Sequence, residues 1–206
     1  QAPHTLSSYG NKVCQTPHID KLASSGMVLD QAYHMGSMSG AVCSPSRTMI
    51  MSGRTLWNLP PRGKKHRKQE EGKGPRVEIL QNTLPAVFNR AGYETFRTCK
   101  NGNSYGLANE LFQIVKDKSC RNADEDSGSQ WHGSQVLSYL EERHVRKEEK
   151  PFLIYFGFSH PHDARNGRND LLDKYGAENV YYADRPRKHR YVLINAKKKR
   201  RRDLIK

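Results

Sequence analysis

The chain has 206 residues, with 35 Lys and Arg against 21 Asp and Glu, a formal net charge of +14 and 35% hydrophobic residues. That length suits one domain with a real core. It contains no run of about 18 apolar residues, which excludes a helical membrane span, and its four cysteines are too few and too far apart for a disulfide scaffold or a CxxC zinc site.

In chain order, Thr16-Pro17 opens a helix through Leu22 and Ala23, with Thr16 as N-cap, Pro17 at the first helical position and Gly26 as the stop. Met27 to Tyr33 alternates enough to predict a strand. Gly36 to Gly40 is a small-residue loop, and a short helix is expected from near Cys43 to Gly53. Arg62 to Lys68 sits between Pro60-Pro61 and a Gly-containing stretch ending at Pro75, so it reads as a solvated basic loop. Thr83 caps a helix over Leu84 to Arg90 that Gly92 ends, and Tyr93 to Thr98 is strand-like. Gln130 to Arg143 predicts a longer amphipathic helix with Val136, Leu137 and Leu140 on its apolar face. Phe152 to Phe158 is a nearly continuous apolar run, as in a central strand of a parallel sheet buried on both faces.

Helices alternating with strands predict an α/β fold: a layered, mostly parallel sheet with flanking helices. Functional groups in such sheets gather beyond the carboxyl ends of the strands. Three candidates lie there: the helix start at Cys43, Lys100, and His160-Pro161-His162. Residues 180–206 differ from the rest, with eleven Lys and Arg against two Asp, a net of +9. Their block Lys197 to Arg202 repels itself and favours disorder. The charge step separates residues 1–179, read as one domain, from 180–206, read as a basic tail, disordered or foreign to the native sequence.

The segment Ala41 to Arg54 carries the richest local chemistry. Pro45 is tolerated in a helix only within the first turn, which sets Cys43 at or beside the helix start. Free backbone N–H groups and the positive end of the dipole favour an oxyanion there. Arg47 lies four residues on, and helical side chains lean toward the N-terminus, so its guanidinium can fold back over Cys43. A planar, permanently charged donor fork suits a tetrahedral anion. An ordinary buried cysteine beside a surface arginine has the same spacing. Lys100 as a surface lysine, and His160 and His162 as solvated imidazoles in a turn, are the corresponding plain alternatives. Trp131 and His132 read as packing at a helix start.

Cys43-Ser44-Pro45-Ser46-Arg47, closed by Met51-Ser52-Gly53-Arg54, resembles the C-x-P-S-R signature of the type I, formylglycine-dependent sulfatases of the alkaline-phosphatase-like superfamily. Ser52 stands where that signature usually has Thr. Thr16 to Ala23 resembles the family's T-P-N-I-D-x-L-A segment, Gly92-Tyr93-Glu94-Thr95 its G-Y-x-T, and Pro151 to Phe158 with Pro161-His162 its P-F-x-L-Y strand and P-H pair. These segments run in family order from Thr16 to Tyr175. The resemblance implies a sulfuric-ester hydrolase in which a maturation enzyme oxidises Cys43 to formylglycine. The hydrated aldehyde then attacks sulfur with one hydroxyl and expels sulfate with the other. Arg47 would hold that hydrate, Lys100 the sulfate oxygens and leaving-group charge, and His162 the ester or sulfate oxygen. A calcium ion would be bound in part by the matured residue 43.

Three positions depart from the family pattern. No Asp pair precedes Thr16, and no Asp-Asn pair follows a later strand, since Asp184 and Asp203 lie in the basic tail. The remaining calcium ligands are therefore not in this chain, which is expected to be truncated at both ends. The family's G-K-W-H reads Cys99-Lys100-Asn101-Gly102, without its histidine. The implied partners are a sulfated small molecule or carbohydrate and the maturation enzyme, and the implied location is periplasmic or secreted. A sulfatase-like fragment that binds sulfated ligands without turnover is the alternative. A basic nucleic-acid-binding protein is a further one, but the chain has no helix-turn-helix, zinc-finger or RNP-like pattern to support it.

Overall fold

The computed structural model describes residues 3–38, 42–59, 75–100, 105–118, 128–158, 160, 162 and 168–176. The basic loop at Arg62 to Lys68, Asn101, Gly102, Cys120, Pro161, Asp163 and the tail from Val180 lie outside them. The chain divides into two compact units, Gln1–Met35 and Gly36–Lys206.

The first unit is held by polar contacts rather than by a core. Two 3-10 turns, Pro3–Thr5 and Ser7–Tyr9, precede helix α1, Pro17–Ser25, and none of these elements buries a residue. The Thr16 hydroxyl does not cap α1. It accepts from the Ser7 N–H and donates to Asp20 Oδ1, both at 3.0 Å, while Asp20 also accepts from the Ser8 N–H. Thr16 and Asp20 thus fasten the preceding turn to the helix. The strand expected over Met27 to Tyr33 does not form. Met27 and Tyr33 are 85% and 86% exposed, and among the described residues no strand pairs with them. Alternation alone cannot make a strand without a neighbour to take its backbone hydrogen bonds.

The second unit is built on a parallel sheet in the order β2-β1-β3: β1 is Glu94–Cys99, β2 Ile114–Val115 and β3 Phe152–Gly157. Register runs from Glu94 opposite Phe152 to Cys99 opposite Gly157. The run at Phe152 was expected to be central. Among the described residues it is an edge strand with Phe152, Phe156 and Phe158 exposed, and the buried centre is β1. A continuous apolar run does not record how many neighbours a strand has.

Helix α6, Gly128–Val145, covers one face of β1. Its inward residues are His132, Tyr139 and Arg143, whereas Leu137 is 69% exposed and Leu140 also faces solvent. The predicted apolar face is therefore rotated. The helix is anchored by a stacked Phe96–Tyr139 pair and by hydrogen bonds from Tyr139 and Arg143 to Glu94. Polar residues occupy the interface because each finds a partner on the strand.

The other face carries the core. Helices α2 (Cys43–Ser52), α3 (Pro75–Gln81), α4 (Leu84–Arg90) and α5 (Gly106–Asn109) gather around Met51, Tyr105, Ala108 and Phe112, with Ile79, Leu84, Leu107, Leu153 and Tyr155 packed against them. Gly53 ends α2 in the left-handed region at φ 63°, its N–H returning to the Met49 carbonyl at 2.9 Å. Thr83 precedes α4 but donates its hydroxyl to the Leu80 carbonyl instead of capping. Helix α7, Asn169–Tyr175, is the last described element.

Candidate functional site

The local rules at α2 hold. Cys43 is its first residue and Pro45 falls in the first turn, where its missing N–H removes no helical bond. Val42 offers no side-chain cap, so the leading N–H groups stay available to a ligand. The Cys43 side chain is half-buried. Arg47 sits one turn on, also half-buried, and its Nη1 is fully buried with no hydrogen bond. A desolvated guanidinium nitrogen without an acceptor is costly unless something else supplies one.

The charge of Arg47 acts on two groups of the sheet, Cys99 and Tyr155. Burial raises the pKa of the Cys99 thiol, and the positive charges of Arg47 and Arg97 oppose that rise. The same two charges act on the Tyr155 hydroxyl, which burial also raises. Cys99 is the last residue of β1, and Lys100, 1% exposed, follows it. Lys100 is therefore not a surface lysine. Cys99 pairs with Gly157, and β3 runs out toward His160 and His162. His162 is half-buried, and His160 has its Nε2 buried without a hydrogen bond. The resemblance gives a role to His162 and none to His160, whose buried Nε2 lies in the same segment after β3. Gly157 is required by the close approach of the strands, because a Cβ there would run into Cys99 Sγ.

Sequence reasoning missed the groups that hold this edge together. Asp117 accepts Arg97 Nε on both oxygens, at 2.9 and 3.1 Å, and the backbone N–H of Cys99 at 2.9 Å. Arg97 is wholly buried, donates also to Asn109 Oδ1 at 2.5 Å, and lies over the rings of Phe112 and Tyr155. An acid 20 residues from its arginine has no local signature. His132 was noticed, but only as packing. It is 0% exposed and hydrogen-bonded to Thr98 at 2.7 Å.

The chain matches the Sulfatase family across residues 1–192. It belongs to the sulfatase family. Among curated proteins it is similar to the N-acetylglucosamine-6-O-sulfatase of Bacteroides thetaiotaomicron, 29% identical over 90 residues, covering 44% of this chain and 14% of the relative. It is also similar to the steryl-sulfatase of Mus musculus, 42% identical over 57 residues, covering 28% of this chain and 8% of the relative. The solved structure of BT4656 in complex with its substrate D-glucosamine-2-N,6-O-disulfate shares the fold, with a TM-score of 0.52 at 19% identity. That likeness covers 79% of this sulfatase chain and 33% of the solved one, and each match spans a third or less of the relative.

The calcium ion that the sequence resemblance implies would need oxygen ligands. Among the described residues no three His, Cys, Asp or Glu side chains are grouped so as to hold a metal ion. Cys43 has only cations and imidazoles among its candidate companions, and a hard dication needs carboxylate oxygens. The described residues of this chain do not fit a calcium site. No described helix is long and apolar enough to cross a membrane.

Proposed function

We propose that the protein hydrolyses sulfuric esters, and that this chain contributes the nucleophile position and the cationic cradle for the sulfate group. The observation that carries the reading is Arg47: a buried guanidinium nitrogen with no hydrogen bond, one turn from the first residue of α2. A sulfate oxygen would give that nitrogen its acceptor, while the N–H groups opening α2 would meet a second oxygen.

Matured to formylglycine by a separate enzyme, residue 43 would supply a hydrated aldehyde, one hydroxyl attacking sulfur and the other releasing the bound sulfate. The chain's own residues prepare that chemistry. Arg47 holds the residue-43 side chain and the sulfate close together and offsets negative charge. Lys100, desolvated at the end of β1, stabilises charge on the sulfate oxygens and the departing oxygen. His162 passes a proton to the leaving group. No step of the proposal runs through calcium, whose carboxylates would have to come from outside the described residues. The proposed substrate is a sulfated small molecule or carbohydrate, and the proposed setting is the periplasm or the cell exterior. The similarity to sulfatases acting on amino sugars and sterols supports the sulfate group as the common element.

Co-expression with a formylglycine-generating enzyme tests the reading. The mass of the peptide containing Cys43 should fall by the difference between a thiol and an aldehyde. The co-expressed chain should also bind inorganic sulfate, and Cys43→Ala should abolish any aryl-sulfate hydrolysis. A thiol that stays intact after co-expression contradicts the nucleophile. Sulfate binding without turnover would reduce the role of this chain to ligand capture.

A further inference from the structure

His132 lies in the second turn of α6, and the chemistry proposed for Cys43, Arg47, Lys100 and His162 does not use it. Its Nδ1 stands 2.7 Å from Thr98 Oγ1, and that same hydroxyl stands 2.8 Å from the Lys116 carbonyl oxygen. A carbonyl only accepts, and a threonine hydroxyl has one proton to give. That proton goes to Lys116, so Nδ1 must donate to Thr98. His132 is therefore the Nδ1–H tautomer, and its buried Nε2 is a bare lone pair with no hydrogen bond. Burial lowers the pKa of the ring and keeps it neutral, against the opposing pull of Asp117.

The position of this relay matters as much as its protons. The contacts of α6 climb one face of β1 in order, with Arg143 at Glu94, Tyr139 on Phe96 and His132 at Thr98. Strand side chains alternate, so the next residue due on that face is Lys100. The chain of donors from His132 through Thr98 to Lys116 ties α6, β1 and the end of β2 together one pleat before Lys100. The Lys116 and Lys118 N–H groups then donate to the Arg97 and Cys99 carbonyls, at 2.8 and 3.1 Å, completing the same edge.

We infer that His132 is a positioning residue of the sulfate site: by donating from Nδ1 it fixes Thr98 and the β1–β2 edge, and so sets the direction in which Lys100 leaves the strand. The inference rests on the sulfate reading of Lys100. What the fold uses is a donor at one ring position, which buried volume alone does not supply.

Two measurements on the full chain test it. Nitrogen-15 NMR of the histidine rings should find Nδ1 protonated and Nε2 bare in His132; a proton on Nε2 overturns the inference. Two amide variants separate the ring positions, since His132→Asn sets its NH2 near the place of Nδ1 and His132→Gln near that of Nε2. Acylation of Lys100 by an amine reagent, read by mass spectrometry, should rise about fivefold or more in the Gln variant and stay near the parent level in the Asn variant. Affinity for inorganic sulfate should fall about tenfold in the Gln variant alone. Equal labelling of the two variants overturns the positioning role. A parent chain that binds no sulfate defeats the sulfate reading instead, and the tautomer and the labelling contrast still decide whether His132 positions Lys100.

Discussion

The two ends of β1 carry similar groups and treat them in opposite ways. At the amino end, Glu94 accepts from Tyr139 at 2.8 Å, from Arg143, and from Arg146 at 3.4 Å. Arg143 also donates to the carbonyls of Glu148 and Lys150. Charge there is matched within the fold. At the carboxyl end, Arg47, Arg97, His132 and His160 each leave a buried nitrogen without a hydrogen bond. A fold has no use for such atoms on stability grounds, because each sacrifices hydration and receives nothing. Of these atoms, the Arg47 nitrogen lies one turn from the first residue of α2, and the proposed sulfate site rests on it.

The amino end should break most severely. Glu94→Ala strands Arg143 in a buried setting and should cost about 3–5 kcal/mol, read as a lower urea midpoint, with sulfate affinity per folded molecule little changed. Gly157→Ala should cost about 1–3 kcal/mol through its clash with Cys99 Sγ, and adding Cys99→Ala should recover part of that loss.

Acid should distinguish the ends by pH window. Burial alone would raise the Glu94 carboxyl, but hydrogen bonds from Tyr139, Arg143 and Arg146 outweigh it and hold the group below its ordinary 4.5. Its stabilisation is complete above that value and disappears as pH falls from there through the folded value. The lowered pKa of His132, caused by burial, acts earlier: the unfolded ring takes up a proton below 6.5 while the folded ring resists. Stability should therefore fall in two stages on acidification. His132→Asn should remove the first stage and Glu94→Gln the second, both read from urea midpoints against pH. The smallest effect on stability belongs to Arg47→Ala, expected within about 0.5 kcal/mol of the parent or slightly above it, because it removes an unsatisfied buried donor.

The pattern of residues foretold local features far better than pairings between distant segments. Helix α2 was legible because Pro45 and Gly53 mark its ends and the i, i+4 spacing of Cys43 and Arg47 is local. Strand β1 and helix α4 were legible for the same reason. The strand expected at Met27 to Tyr33 failed because a strand is a property of a pair, and the partner is not written in the segment. The inward face of α6 was misread because Tyr139 and Arg143 are drawn in by Glu94, 45 and 49 residues away. Asp117 and His132 were hidden likewise: their partners Arg97 and Thr98 are distant in sequence and adjacent only after the sheet forms.

The most direct test of the account is the thermal stability of the parent chain and of Arg47→Ala across a sulfate titration. Sulfate stabilises most proteins weakly through exclusion from their surface, so the difference between the two curves is the informative quantity. The account predicts a saturable gain for the parent, about 2.7 kcal/mol at a hundredfold excess over Kd, and only the gradual, unsaturable rise for the variant. Coincident curves would contradict it, because Arg47 would then hold no anion.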